Sequence, residues 1–145
     1  MAAVNPYLLF NGNCEEAFLF YKSVFGGEFP YMGRFSEAPP EDGGGEQLSE
    51  ADANRIMHVS LPIGNTILMG SDSHPRYGDV LIGSNFQISI NVDSTEEADR
   101  IFDALSAGGK PYMPMSKTFW GAYFGMFQDK FEISWMVNFD ENMTK

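Results

Sequence analysis

The chain has 145 residues, of which 43% are hydrophobic and 14% aromatic, and its formal net charge at pH 7 is −11. This size and composition indicate one globular domain with a hydrophobic core rather than a disordered chain. The charge argues against a nucleic-acid partner, because the nine Lys and Arg residues are scattered and a polyanion requires a cluster of them.

The sequence also indicates where the protein works. No stretch approaches the roughly 18 uninterrupted apolar residues that a membrane helix needs, and the first residues lack the pattern of a secretory signal. Cys14 is the only cysteine, so an intrachain disulfide is excluded, which fits a reducing compartment. We therefore expect a soluble cytoplasmic protein that binds neither membranes nor nucleic acid.

The first predicted elements are a strand over residues 6–10 and a helix that begins after Asn13. Glu16 follows Asn13 at the spacing of a capping box. Gly26 and Gly27 end the helix, because glycine adopts the left-handed C-terminal conformation at low cost. Offsets of three and four predict its buried face: Cys14, Ala17, Phe18, Tyr21, Val24 and Phe25.

Three strands are predicted after this helix, over residues 28–35, 56–62 and 66–71. The stretch 36–54 between the first two is rich in Pro, Gly and acidic residues and is either disordered or a mobile lid. The loop 72–84, which carries His74-Pro75-Arg76-Tyr77, is placed to rim a cleft.

The second half repeats this order with different residues. Alternating apolar residues predict a strand over 86–92, and Ser94 with Glu97 forms a capping box for the next helix. Gly108 and Gly109 end that helix. Three more strands follow, over residues 110–115, 122–128 and 132–138.

Each half therefore reads β-α-β-β-β, with module one at about residues 4–72 and module two at about 85–139 of a single domain, 1–145. The predicted fold class is α+β. The two modules form a curved mixed sheet with helices on its outer face, which leaves the other face free to surround a ligand.

Several motifs resemble those of PhnB-like proteins in the vicinal oxygen chelate (glyoxalase/bleomycin resistance/dioxygenase) superfamily. The resemblance spans nearly the whole chain. It is carried by Pro6–Ala17 (PYLLFNGNCEEA), Phe20-Tyr21, Phe25-Gly26-Gly27, His58, Met69–Asp72 (MGSD), Phe119-Trp120-Gly121 and Asp129–Asn138 (DKFEISWMVN). It implies a homodimer in which ligand clefts form near the interface.

The resemblance also bears on cofactors. Superfamily enzymes hold a divalent metal on the first and last strands of each module, at positions that fall near Pro6 or Leu8, Met69, Gln87 and Met136. Among these residues only Gln87 ligates a metal well. We therefore expect neither a metal nor another cofactor.

PhnB-like proteins often carry the label of a demethylubiquinone methyltransferase. A methyltransferase needs a nucleotide-type site, normally a glycine-rich turn after the first strand of a doubly wound sheet. That pattern is absent from this sequence. Membership of a fold does not by itself assign an activity.

The candidate catalytic residues are His58 and Glu132. The intrinsic pKa of histidine suits a general base, although His58 also fits a hydrogen-bonded residue of the core or cleft. Related chains usually carry Gly at the position of Glu132. Its carboxylate either joins a cleft or is exposed in the turn before the last strand.

The candidate ligand-binding residues are aromatic and polar side chains near predicted strand ends. Large apolar pockets with a few polar anchors commonly hold small organic molecules, although aromatic residues at strand spacing also fit a core or a dimer contact. The set is Trp120, His58, Gln87, Asp72, Tyr123 and Trp135.

Three functions remain open at this point. The first is metal-free binding of a small apolar or aromatic molecule in a cleft of a homodimer. The second is a metal- or His-dependent lyase, isomerase or dioxygenase that uses His58 and Glu132. The third is a domain whose only function is its dimer surface.

Overall fold

A computed structural model of the chain describes residues 2–38 and 48–141. The chain divides into two compact units, Met1–Leu81 and Ile82–Lys145. Most of the predicted lid or disordered stretch, residues 39–47, lies outside the described residues. Phe35 and Arg55, which flank the predicted stretch 36–54, are joined by a hydrogen bond, because the Phe35 N–H donates to the carbonyl of Arg55 at 3.0 Å.

The first unit contains a four-stranded mixed sheet in the order β1-β4-β3-β2. β1 runs parallel to β4, and the other two pairs are antiparallel. α1 packs on β3 and β4. The elements are β1 (Tyr7–Phe10), α1 (Cys14–Phe25), β2 (Tyr31–Arg34), α2 (Glu50–Ala53), β3 (Ile56–Ile63) and β4 (Thr66–Asp72), with short 3₁₀ helices at Phe35–Glu37 and Pro75–Tyr77.

The second unit repeats this topology in the order β5-β8-β7-β6. β5 runs parallel to β8, the remaining pairs are antiparallel, and α3 packs on β6, β7 and β8. Its elements are β5 (Ile88–Asn91), α3 (Thr95–Leu105), β6 (Lys110–Lys117), β7 (Tyr123–Gln128) and β8 (Ser134–Phe139). The predicted α+β class with two β-α-β-β-β modules is confirmed.

The cores lie between each helix and its sheet. Phe18 and Tyr21 of α1 are fully buried, and α3 buries Ile101 and Leu105 in the same way. The approach of α1 to its sheet explains Gly70, since a Cβ there would lie 2.7 Å from the Phe18 ring and 2.8 Å from the carbonyl oxygen of Leu8. Such contacts are too short for any larger residue.

The two helices begin differently, which corrects part of the capping prediction. Ser94 caps α3 as predicted, because its hydroxyl accepts the Glu97 N–H at 3.1 Å. At α1, Asn13 occupies the N-cap position, but the acceptor of the Cys14 N–H is the Asp72 carboxylate, at 3.0 Å. A residue distant in sequence therefore replaces the predicted local cap.

Glu132 lies exposed in the turn between β7 and β8, with a φ of 71°. Its N–H donates to the carbonyl of Asp129 at 3.0 Å, and its own carbonyl accepts from the Gln128 side chain at 3.3 Å. A residue with a Cβ is strained in this left-handed region. This geometry explains why glycine suits the position.

Replacing Glu132 with Gly is expected to stabilise the protein by about 0.5–1 kcal/mol. The gain comes from removing the left-handed backbone strain, and it is reduced because glycine loses more conformational entropy on folding. Urea unfolding followed by circular dichroism measures the change. Glu132→Ala is the control, since it removes the charge but keeps the Cβ. Equal gains in both variants would contradict the backbone explanation.

Candidate functional site

The face of the first sheet that points away from α1, here called the open face, carries exposed apolar side chains. Leu8 and Phe10 of β1 point into the core, so their alternates Tyr7 and Leu9 point the other way and are 45% and 51% exposed. By the same alternation and the pairing of the strands, the open face also carries Met69, Ser71, His58, Ser60 and Tyr31.

A cavity of about 520 Å³ lies at the end of this face where β1 and β4 finish. Its apolar wall consists of Leu9, Phe35, Tyr77 and Val80. The predicted rim loop supplies much of the remainder, as the sequence suggested. The polar lining is Ser71, Asp72, Ser73, His74, Arg76 and Asp79.

The His74 side chain is held in place in the cavity wall. It is 8% exposed, and its ring packs edge-on against Phe35 with a centroid distance of 4.9 Å. The backbone N–H of Arg76 donates to Nδ1 at 3.1 Å, which places the proton of the neutral ring on Nε2. The backbone after His74 is tied down as well, because the Ser73 hydroxyl donates to the carbonyl of Gly78.

Phe35 is held in the cavity wall by an ion pair at the end of β2. Arg34 makes a bidentate contact with Glu15 of α1, with N···O distances of 3.0 and 2.9 Å, and also donates to the carbonyl of Asn54 at 2.9 Å. The hydrogen bonds from Arg34 hold the pKa of the Glu15 carboxyl below its ordinary value. These contacts of Arg34 therefore fix the backbone next to Phe35 in the cavity wall.

Next to the cavity, three rings follow each other across the open face. The Tyr7 hydroxyl and Nδ1 of His58 are 3.0 Å apart and share a hydrogen bond. The ring centroids of Tyr7 and His58 are 5.6 Å apart, and those of Tyr31 and His58 are 5.9 Å apart. We call Tyr7, His58 and Tyr31 the aromatic row.

Asp72, a predicted ligand-binding residue, is 3% exposed and lines the cavity, but its carboxylate is occupied. Oδ1 accepts the N–H groups of Gly12 and Cys14 at 2.9 and 3.0 Å, and Oδ2 accepts that of Ile56 at 2.8 Å. Its side chain therefore holds the chain together instead of anchoring a ligand, which corrects the expectation.

Trp135, also predicted to bind a ligand, is 1% exposed. Its indole N–H donates to Oδ2 of the buried Asp129 at 2.8 Å. Side chains of β8 alternate between buried and half-buried, and α3 packs on this strand. The buried Trp135 side chain therefore lies on the face of β8 that meets α3. This placement corrects the expectation that it lines a cleft.

Tyr123 lines a second cavity, of about 290 Å³, around the start of α3. Its hydroxyl donates to Asp99 at 2.6 Å, and this hydrogen bond raises the pKa of Tyr123. Asp93, Glu96 and Glu141 also line this cavity together with Lys117, so its acidic side chains outnumber its basic ones.

The remaining candidates lie on the surface of the second unit. Trp120 is 57% exposed in the turn before β7 and packs against Phe119 and Phe124, with centroid distances of 5.0 and 6.2 Å. Gln87 is exposed immediately before β5, and Glu132 is exposed in its turn. The sequence did not single out Leu9, Ser71, Tyr7 or Tyr31. For Leu9 and Tyr7 the reason is that β1 is apolar on both faces, so alternation could not assign a side. Ser71 on β4 and Tyr31 on β2 join the open face only through strand pairing.

The residues at the superfamily's metal positions do not fit a divalent ion. Leu8 is buried against α1, Met69 and Met136 offer only thioethers, and the Gln87 amide is the one oxygen donor of the set. Throughout residues 2–38 and 48–141, no group of three or more His, Cys, Asp or Glu side chains is arranged to hold a metal.

Cys14 does not supply a reactive thiol to this region. It is fully buried at the first turn of α1. Burial, followed by the negative charges of Asp72 and Glu15, raises the pKa of the thiol. The protonated form is thus favoured.

Comparison with known proteins assigns the family. Residues 2–138 match the model of the family described as 3-demethylubiquinone-9 3-methyltransferase. The chain belongs to this family. The resemblance to PhnB-like proteins is thereby confirmed.

Two similar proteins match this chain along nearly their whole lengths. Protein YjdN of Escherichia coli (strain K12) is 34% identical over 142 residues, which cover 93% of each chain. The crystal structure of PA1353 from Pseudomonas aeruginosa is 42% identical, with a TM-score of 0.84 over 97% of this chain and 98% of that one. These similarities include both units.

The fold of this chain is also similar to that of more distant proteins. A glyoxalase/bleomycin resistance protein/dioxygenase family enzyme from Burkholderia phytofirmans PsJN is 17% identical, with a TM-score of 0.60 over 94% of this chain and 98% of that one. At this identity the similarity concerns the fold alone. No helix within residues 2–38 and 48–141 of this chain has the length and apolar character needed to cross a membrane.

The structure also bears on the nucleotide-type site that methyl transfer needs. Both sheets are mixed rather than doubly wound. The turn between β1 and α1 is already filled, because its Gly12 and Cys14 N–H groups bond the Asp72 carboxylate. An anionic group of a ligand therefore cannot use these two donors.

Proposed function

We propose that this protein binds a small, partly apolar or aromatic molecule without a metal ion, in the cavity at the end of the open face. The observation that carries the proposal is the cavity itself. Its volume of about 520 Å³ lies within the roughly 300–1,000 Å³ usual for ligand pockets. Leu9, Phe35 and Tyr77 provide the apolar contact area, and Ser71 provides a hydroxyl.

The charges around the cavity narrow the class of ligand. Arg76 and Asp79 contribute opposite charges to the lining, and the whole chain carries a net charge of −11. A polyanion would face repulsion from the chain without a matching cluster of cations. A neutral molecule with one or two hydrogen-bonding groups suits this lining best.

Two leucines of the first unit provide a matched test. Leu9 lines the cavity and Leu19 lies on α1, and each is 51% exposed. The probe is 1-naphthol, titrated into the purified protein by calorimetry. Leu9→Lys is expected to weaken binding at least tenfold, because a charged side chain enters the apolar wall, whereas Leu19→Lys retains wild-type affinity. The proposal would be refuted if Leu9→Lys bound 1-naphthol with wild-type affinity, or if the wild type did not bind 1-naphthol.

The proposal that binding requires no metal ion is tested separately. Elemental analysis of untagged protein is expected to find no stoichiometric divalent metal, and added Zn²⁺, Ni²⁺, Mn²⁺ or Fe²⁺ is expected to leave the melting temperature unchanged. A resident ion stabilises the folded state by mass action. About one metal per protomer would overturn this part.

We also propose that the protein is a cytoplasmic homodimer. Apolar side chains on the second unit support the dimer: Tyr112 and Met113 of β6 are 55% and 40% exposed, and Phe119 is 98% exposed in the following turn. Covering such groups is a common reason for association. Sedimentation of the wild type should give a dimer and Phe119→Ser a weaker one, and a monomeric wild type would contradict the proposal.

The Tyr7–His58 hydrogen bond supports a second candidate function, in which His58 is a general acid or base of a lyase, isomerase or dioxygenase. The bond to Nδ1 fixes the ring and leaves Nε2 to exchange a proton with a substrate. In this case His58→Ala abolishes turnover while the circular dichroism spectrum is retained. Turnover that persists in His58→Ala would exclude this role.

A further inference from the structure

We infer that the aromatic row Tyr7–His58–Tyr31 is a stacking surface, and that the molecule bound by this protein contains a planar aromatic ring with a hydrogen-bonding oxygen. The inference rests on the proposed function and narrows its ligand class. Its evidence is the orientation of the three rings on the open face.

Tyr7 lies along the sheet rather than standing up from it. β4 separates β1 from β3, so Tyr7 and His58 belong to strands about 9–10 Å apart. The 3.0 Å contact between the Tyr7 hydroxyl and Nδ1 of His58 therefore requires the Tyr7 ring to extend across β4. A ring in that position turns a face toward solvent, which is consistent with its exposure of 45%.

Tyr31 also lies along the sheet, for a different reason. Gly33 follows two residues later on the same face of β2, and a Cβ there would collide with the Tyr31 hydroxyl. The missing side chain at Gly33 lets the tyrosine lie over its own strand. As a residue, Tyr31 remains 47% exposed in this position.

The angles between the rings distinguish the row from the packing of the core. Tyr7 and Tyr31 are inclined to His58 by 32° and 38°. Core pairs meet edge to face instead, at 81° for Phe10–Phe18 and 77° for Phe102–Phe127. Rings of similar orientation with exposed faces suit the offset stacking of a planar molecule.

The row also provides specificity for an oxygen atom. Because Nδ1 of His58 is engaged by Tyr7, Nε2 is the ring nitrogen that can meet a ligand. Leu9, two residues after Tyr7 on the same strand face, continues this surface into the cavity. A planar aromatic ligand that carries a phenol oxygen matches these features.

The test compares 1-naphthol with decahydro-1-naphthol, which has the same carbon skeleton but is neither flat nor aromatic. Calorimetry on the full-length wild type is expected to show at least tenfold tighter binding of 1-naphthol. Tyr31→Leu is expected to remove most of that preference by weakening 1-naphthol alone. Phe86→Leu, at a 57% exposed aromatic residue before β5 that lines neither cavity, is the control and is expected to keep the preference.

A second variant examines the role of the imidazole. His58→Phe keeps a ring in the row but removes Nε2. It is expected to abolish the preference for 1-naphthol over 1-methoxynaphthalene, whose oxygen carries no proton, while both compounds still bind. A preference that is unchanged in His58→Phe would remove His58 from ligand recognition.

The outcomes separate this inference from the proposed function. If 1-naphthol and decahydro-1-naphthol bind the wild type equally and Tyr31→Leu affects neither, the stacking surface is wrong. The cavity proposal then stands so long as Leu9→Lys still weakens both compounds. If neither compound binds the wild type, the proposed function and this inference are both refuted.

Discussion

Asp72→Ala is expected to lower the free energy of unfolding by about 3–5 kcal/mol, from the loss of three charge-assisted hydrogen bonds and the exposure of unpaired donors. The Asp72 carboxylate joins the start of α1, through Gly12 and Cys14, to the start of β3, through Ile56. The side chain is 3% exposed, so water replaces these acceptors poorly. Urea unfolding followed by far-ultraviolet circular dichroism measures the loss.

Two further variants make this result specific. Asp72→Asn keeps one acceptor oxygen and is expected to lose less stability than Asp72→Ala, because its amide nitrogen replaces only one of the two oxygens. Asp79→Ala removes an exposed carboxylate of the same unit and is expected to change stability by less than about 0.5 kcal/mol. A loss below about 1 kcal/mol for Asp72→Ala would show that these bonds are not the main constraint on α1.

The second large effect is expected at Asp129, which organises the turn before β8. Its Oδ1 accepts the N–H groups of Phe131 and Ile133 at 2.8 and 3.1 Å, and its Oδ2 accepts the indole N–H of Trp135 at 2.8 Å. The residue is 2% exposed. Asp129→Ala is expected to cost about 3–5 kcal/mol and to change the emission of Trp135, since the indole loses its partner.

Trp135→Phe separates the indole bond from the backbone bonds. It removes one of the three donors and retains most of the ring volume, so the expected loss is about 1–2 kcal/mol and smaller than that of Asp129→Ala. Asp103→Ala, an exposed carboxylate on α3, serves as the control. If Trp135→Phe were as harmful as Asp129→Ala, packing of the indole would outweigh the hydrogen bonds of the turn.

These carboxylates also show why the ligand-binding roles predicted for Asp72 and Trp135 conflict with the structure. Asp72 at a strand end has the pattern of a ligand anchor, and the same pattern fits a helix cap supplied from a distance. Trp135 alternates with Ser134 and Met136 on β8, so the pattern predicts two faces without saying which one meets α3. Both choices depend on which strands become neighbours, and a single sequence does not contain that information in local form.

The candidate site was predicted only in part for the same reason. The rim loop with His74 was located correctly, because its Pro and polar residues interrupt the strand pattern. The wall contributed by Leu9 and Phe35 was not, since these residues lie far apart along the chain and meet through the strand order β1-β4-β3-β2. The roles of His58, Gln87, Trp120, Tyr123 and Glu132 in a site stay predictions.

The sequence by itself determined the order of the elements. Glycine pairs after each helix, the Ser94 cap and the alternation in the strands act over a few residues, so they set β-α-β-β-β in both halves without reference to the rest of the chain. Only the tertiary structure decided that Asp72 caps α1, since this bond spans 58 residues. It also decided which face of the first sheet is open, because β1 is apolar on both faces and burial against α1 alone distinguishes Leu8 from Leu9.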